Sequence, residues 1–203
     1  MNLVALTFDD GPAPWTEQIL DTLAAHDVRA TFFVIGRHAR PRRHILERMA
    51  HDGHEIGNHS WSHPWLARDC DDRRVDTELR RTNAEVEDLI GVRPRLFRAP
   101  RYDVDDRVVG IGRGLGLTHT RGDVRPVDWR GQLRSTVLAT LVLQHTTAED
   151  TIVGLHDGVP PSSKATPGQQ ATADAVAIIV PRLLERGHTL VTASHLVVDA
   201  VDA

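Results

Sequence analysis

The chain has 203 residues with a formal net charge of -4, 40% hydrophobic and 26% charged, the make-up of a globular domain with a sizeable core. The acidic balance argues against a nucleic-acid binder, whose surface would be basic. Cys70 is the only cysteine, which excludes an internal disulfide and a thiolate metal site, and no stretch approaches the ~20 apolar residues of a membrane span. Met1-Asn2 leads straight into an apolar run and no signal peptide is expected. A cytoplasmic protein follows if Met1 is the native start, and a secreted or cell-wall-associated one if an export segment has been removed.

Residues 3–8 read as a buried strand, and the strand ends in Asp9 and Asp10. Successive strand residues face opposite ways, so the two carboxylates share a direction only if the chain turns, and Gly11-Pro12 supply a turn. Adjacent like charges repel, a cost that a metal ion would offset; a solvated turn is the plainer reading. Thr16 opens a helix with Ile19, Leu20 and Leu23 on one face. Residues 30–34 form a second strand. Pro41 begins a helix that carries Ile45, Leu46 and Met49 and ends at Gly53. Residues 55–57 form a short third strand, followed by His59-Ser-Trp-Ser-His63. That spacing sets two imidazoles on one face of a helical turn. With a carboxylate they suit Zn²⁺ and leave a position open for water, although among 12 histidines the spacing alone is weak.

A long helix covers residues 72–90, with Val75, Leu79, Val86 and Leu89 inward and Gly91 as its stop. Arg98 follows a strand at 96–97 and is suited either to a bidentate carboxylate pair or to the surface. Asp105 opens a glycine-interrupted helix, and residues 117–120 are strand. The loop 122–129 bears Asp123 and Asp128, either of which suits a turn. A helix at 133–143 leads to a strand at 151–155 and to His156, fit for a general acid or a metal ligand. The proline- and serine-rich loop 157–170 is expected to border the site. Residues 171–186 form a helix that Pro181 should kink, and 190–193 close the series. Seven strands and roughly six helices in alternation imply parallel strands, in an incomplete barrel or an open doubly wound sheet. Both gather chemistry at the carboxyl ends of the strands.

Five stretches then stand together: TFDDGP at 7–12, HSWSH at 59–63, RAPRY at 98–102, DVRPVDW at 123–129, and the strand ending in His156. With ATFFVIG at 30–36 and GHEIGNH at 53–59, they make the chain resemble the polysaccharide deacetylases, the NodB-homology domains of carbohydrate esterase family 4, from Leu3 to about Leu196. The resemblance implies an α/β fold, a distorted, incomplete (β/α) barrel with about seven parallel strands, and one catalytic domain spanning 1–203. It implies that Asp10, His59 and His63 bind Zn²⁺ or another divalent cation such as Co²⁺ or Ni²⁺. Asp9 would then be the general base and Arg98 its holder, with the backbone N–H of Arg101 as oxyanion donor. His156 would be the acid, Asp128 its holder and Trp129 a wall of the acetyl pocket.

The chain also departs from the family's pattern. Arg101 stands where tyrosine is common, with Tyr102 one place on. Gly154 stands where leucine is usual, which would widen the acyl pocket unless a neighbour fills it. Gly122 and Arg125 replace a frequent tryptophan and acid. Trp61, Trp65 and Trp129 lie near the motifs in a chain only 4% aromatic, suited to sugar faces or to ordinary packing. The expected activity is removal of N-acetyl groups from N-acetylglucosamine-containing glycans, by a monomer with no nucleic-acid or membrane partner. Alternatives are an acetylxylan esterase, an amidase on a small amide or amino sugar, and an inactive carbohydrate-binding domain.

Overall fold

In the computed structural model, residues 2–146, 149–161 and 169–197 are described. Strand β1 (Leu3–Asp9) leads through α1 (Pro14–Ala25) to β2 (Thr31–Val34). The short α2 (Gly36–Ala39) and α3 (Arg43–His51) precede β3 (Glu55–Asn58); α4 (Leu66–Asp69) and α5 (Asp72–Ile90) precede β4 (Leu96–Phe97). Then come α6 (Asp106–Gly114), β5 (Thr118–His119), α7 (Ser135–His145), β6 (Thr151–His156), α8 (Gln170–Glu185) and β7 (Thr189–Val191). The strands run in the order β5-β4-β3-β2-β1-β6, all parallel, and β7 pairs with the first half of β1. This is the incomplete barrel.

Strand alternation builds its two faces. Val4, Leu6 and Phe8 point outward into the main core with Phe32, Val34, Ile56, Val153, Leu155 and the helices. Ala5, Phe33, Leu96 and Ile152 point inward to a smaller cluster. Thr7 and Asp9 share that inward face, and the register sets Thr7 beside Gly154 and Asp9 beside His156. The barrel interior therefore ends, toward the strands' carboxyl termini, in polar side chains.

Helix α5 matches its expected span. Asp71 caps it by accepting from Arg74 N at 2.8 Å, and Gly91 ends it at φ 68°. Thr16 does not open α1: the helix starts at Pro14, whose missing N–H costs nothing at a first helical position. Thr16 lies one turn in, and its hydroxyl reaches back to accept from Ala13 N at 2.9 Å. Pro181 lies inside α8, which runs from Gln170 to Glu185 with Ala173, Val176, Ile179, Val180 and Leu183 buried.

Candidate active site

Asp10 takes φ 76°, so the turn that brings both carboxylates to one end of the barrel begins at Asp10 itself rather than at Gly11. Asp9, beneath it, receives one hydrogen bond from Arg98, Nη1 to Oδ1 at 2.9 Å. The pair is not bidentate. Arg98 is fully buried inside the barrel, over the Phe33 ring, and spreads its other donors over Thr7 Oγ1 (2.7 Å) and the carbonyls of Thr120 and Arg121. The guanidinium is thus fixed by four partners and delivers one N–H to Asp9.

The stretch from His59 to His63 is a loop and not a helical turn, with Ser60 at φ 64° and His63 at φ 62°. Helix α5 and the end of β3 hold it in this form. Asn58 accepts from Ser60 N and donates to Leu79 O and Asn83, while Glu78 accepts from the N–H and hydroxyl of Ser62. The result brings His59 Nε2 and His63 Nε2 to 3.4 and 3.1 Å from Asp10 Oδ1. His59 Nδ1 lies 2.8 Å from Arg98 O, which fixes it as the donor and leaves Nε2 as a lone pair.

Tetrahedral Zn²⁺ with bonds near 2.0 Å separates its ligand atoms by about 3.3 Å, so the donor set fits such an ion. Asp10 Oδ1 is buried without a protein hydrogen bond, an orphan that a cation would satisfy. Among the described residues these three are the only group of this kind.

Across the cavity, His156 Nδ1 lies 2.8 Å from Asp128 Oδ1, and His156 N donates to Oδ2. Thr172 steadies that carboxylate from α8. Burial disfavours the imidazolium, but Asp128, with Asp10 and Asp9 behind it, outweighs burial and pushes the ring up to about 10. Nε2 is left to serve the cavity. Asp123, equally open in the sequence, instead accepts from Ile152 N and ties its loop to β6.

The cavity measures about 400 Å³ and is lined by Asp9, Asp10, His59, His63 and His156, with Arg101, Tyr102, Trp129 and Gly154 on its walls. Arg101 takes φ 57° and donates from Nη1 to His63 O. Trp61 is not part of the lining: it packs against Gly36 under the Arg81 guanidinium. Trp65 lines the cavity in its stead, beneath Arg101. Val159, Pro160 and Gln169 of the expected bordering loop also line it, while 162–168 lie outside the described residues.

The sequence reading passed over Asp157, which is fully buried and bonded to Thr16 Oγ1 at 2.6 Å. Burial and the nearby Asp10 and Asp9 push its carboxyl up to about 7, against the Thr16 bond. A side chain at Gly11 would run into it. Its adjacency to His156 was the available signal.

A family model described as polysaccharide deacetylase matches residues 1–120. A chitooligosaccharide deacetylase of Sinorhizobium fredii is 36% identical over 91% of this chain and 86% of its own length. The peptidoglycan-N-acetylmuramic acid deacetylase PdaC of Bacillus subtilis is 33% identical over 96% of this chain, which spans only 38% of that protein. The solved structure of PdaC superposes with a TM-score of 0.84, covering 96% of this chain and 89% of that one, at 33% identity. A family 4 acetyl xylan esterase from Clostridium thermocellum, in complex with cobalt, superposes at 0.85 with 33% identity, covering 96% of this chain and 90% of that one.

Proposed function

This chain belongs to the polysaccharide deacetylase family, and from that premise we propose that it hydrolyses N-acetyl groups of N-acetylglucosamine-containing glycans or oligosaccharides. The carrying observation is the convergence of three buried ligand atoms, from Asp10, His59 and His63, between Asp9 on one side and His156 on the other. A divalent cation, for which Zn²⁺ is proposed and Co²⁺ or Ni²⁺ could substitute, would acidify a water and polarise the acetyl carbonyl. Asp9 takes the proton as the water oxygen bonds to the carbonyl carbon. The backbone N–H of Arg101 would donate to the oxygen that becomes negative. The carbon–nitrogen bond then breaks as His156 Nε2–H protonates the departing nitrogen, leaving acetate and a free amine. Asp128 keeps the ring oriented and charged for that step, and Trp129 walls the acyl side.

The seven strands of the described residues share one sheet, which supports treating the chain as one catalytic domain. No helix among the described residues is long and apolar enough to cross a membrane. A second reading, hydrolysis of acetate esters on xylan, is favoured by the likeness to the Clostridium esterase. Acetate release should be measured on chitooligosaccharides and on acetylated xylan, with and without chelator. Chelator-sensitive release from the former is expected. Release from xylan alone would move the substrate to esters, and release from neither would leave a small amide or a binding domain.

A further inference from the structure

Inward residues on β6 are Ile152, Gly154 and His156, so Gly154 lies directly beneath the proposed acid and beside Thr7 on β1. The space its missing side chain leaves is not empty. A Cβ built there would stand 2.8 Å from Tyr102 Oη and 3.7 Å from both Arg125 Cγ and Arg98 Nη1. One built on Gly122 would stand 3.0 Å from the same Oη and 3.4 Å from Gly154 N. The phenol of Tyr102 is therefore seated against two glycines from separate segments, which the Val124–Val153 bridge joins. Arg125 covers the ring at 4.5 Å from its centroid, and Tyr102 and Gly154 both line the cavity.

We propose that Tyr102 sets the length of acyl group the enzyme accepts, its hydroxyl end closing the pocket beneath His156 to an acetyl-sized space. The inference rests on the deacetylase reading and adds the residue that makes it selective. Close-packed interiors resist added volume, and a pocket of this kind discriminates by at least about tenfold per methylene. Arg125 holds the ring in place and the two glycines give the phenol its room. The neighbour that fills the Gly154 position is thus a residue 52 positions away (154 − 102).

The test compares kcat/KM for N-acetyl, N-propionyl and N-butyryl chitooligosaccharides in the native enzyme, Tyr102→Ala, Tyr102→Phe, Gly154→Ala and the Gly154→Ala/Tyr102→Phe double variant. Native enzyme should lose about tenfold or more per added methylene, and Tyr102→Ala should raise the butyryl-to-acetyl ratio by about tenfold. Gly154→Ala should depress turnover of the acetyl substrate, and the double variant should recover it, because phenylalanine lacks the oxygen that the new Cβ meets. An unchanged acyl ratio in Tyr102→Ala, or no recovery in the double variant, overturns the proposal. Binding of acetate against butyrate to the zinc-loaded proteins gives the same comparison without turnover. Selective binding in a protein that hydrolyses none of the glycans would sink the deacetylase reading and leave the role of Tyr102 standing, whereas equal binding of both acids sinks that role.

Discussion

The two ends of the sheet use polar side chains for opposite purposes. At the amino end each one terminates backbone. His54 Nδ1 accepts from Ala30 N, Glu55 accepts from Ser194 N, and Asp150 accepts from Leu3 N. At the carboxyl end the backbone serves the side chains: Arg98 O orients His59, the N–H of His156 steadies Asp128, and Asn58 shapes the loop of His59 and His63. Both ends keep a buried atom without a hydrogen-bond partner, His54 Nε2 at one and Asp10 Oδ1 at the other. Only the second points at two further ligand atoms. Convergence marks the site; a buried histidine does not.

The largest expected effects test that contrast at the carboxyl end. Asp9→Asn should cut kcat/KM on a chitooligosaccharide by about 10³–10⁴-fold, because the amide cannot take a proton from water, while metal content measured by elemental analysis stays near that of the native protein. Metal lost in step with activity would make Asp9 a ligand and remove it as the base. His156→Ala should cost about 10³-fold on amides and far less on an activated aryl acetate, whose leaving group departs without a proton. Equal losses on the two substrates would take the acid role from His156.

These positions were visible in the sequence because polar residues interrupt apolar strands at their ends, where parallel sheets place chemistry. Helix α5 was visible through its periodicity and its Gly91 stop, whereas the Asp71 cap emerged only in the structure. The geometry of the His59–His63 loop was not: Ser60 and His63 are not residue types that announce a left-handed backbone, and what stabilises them, Glu78 and Asn83, lies on a helix well downstream. Spacing of four suggested a helical turn because it is compatible with one. Thr16 misled for a similar reason, since threonine is a frequent cap and its hydroxyl here does serve the helix start, from inside. The filling of the Gly154 space by Tyr102 depends on packing between distant segments, which no local pattern encodes.

Arg98→Lys sharpens the comparison by separating charge from shape. A lysine keeps the positive charge beside Asp9 but cannot span Thr7, Asp9 and the carbonyls of Thr120 and Arg121 together. Leaving those buried acceptors unmet should destabilise the fold by about 3 kcal/mol in urea unfolding, with activity falling as Asp9 loses its orientation. A lysine variant as stable as the native protein would show that charge alone holds the barrel interior.

The smallest effect belongs to the amino end and should touch stability alone. Burial is the main cause that lowers His54, to about 4 from an ordinary 6.5, against the pull of Asp52. The unfolded chain takes up a proton there as pH falls below 6.5, whereas the native chain does so only near 4. Acid therefore favours unfolding through that window, and stability is fully present above it. Between pH 7 and pH 5 the group should withdraw about 2 kcal/mol, read as a fall in the urea midpoint. His54→Gln keeps an acceptor for Ala30 N and removes the titration, so its midpoint should change less over the same range, with chitooligosaccharide turnover at pH 7 unaltered. An equally steep loss in His54→Gln would assign the acid sensitivity elsewhere, and a collapse of turnover would mean that the amino end bears on the chemistry after all.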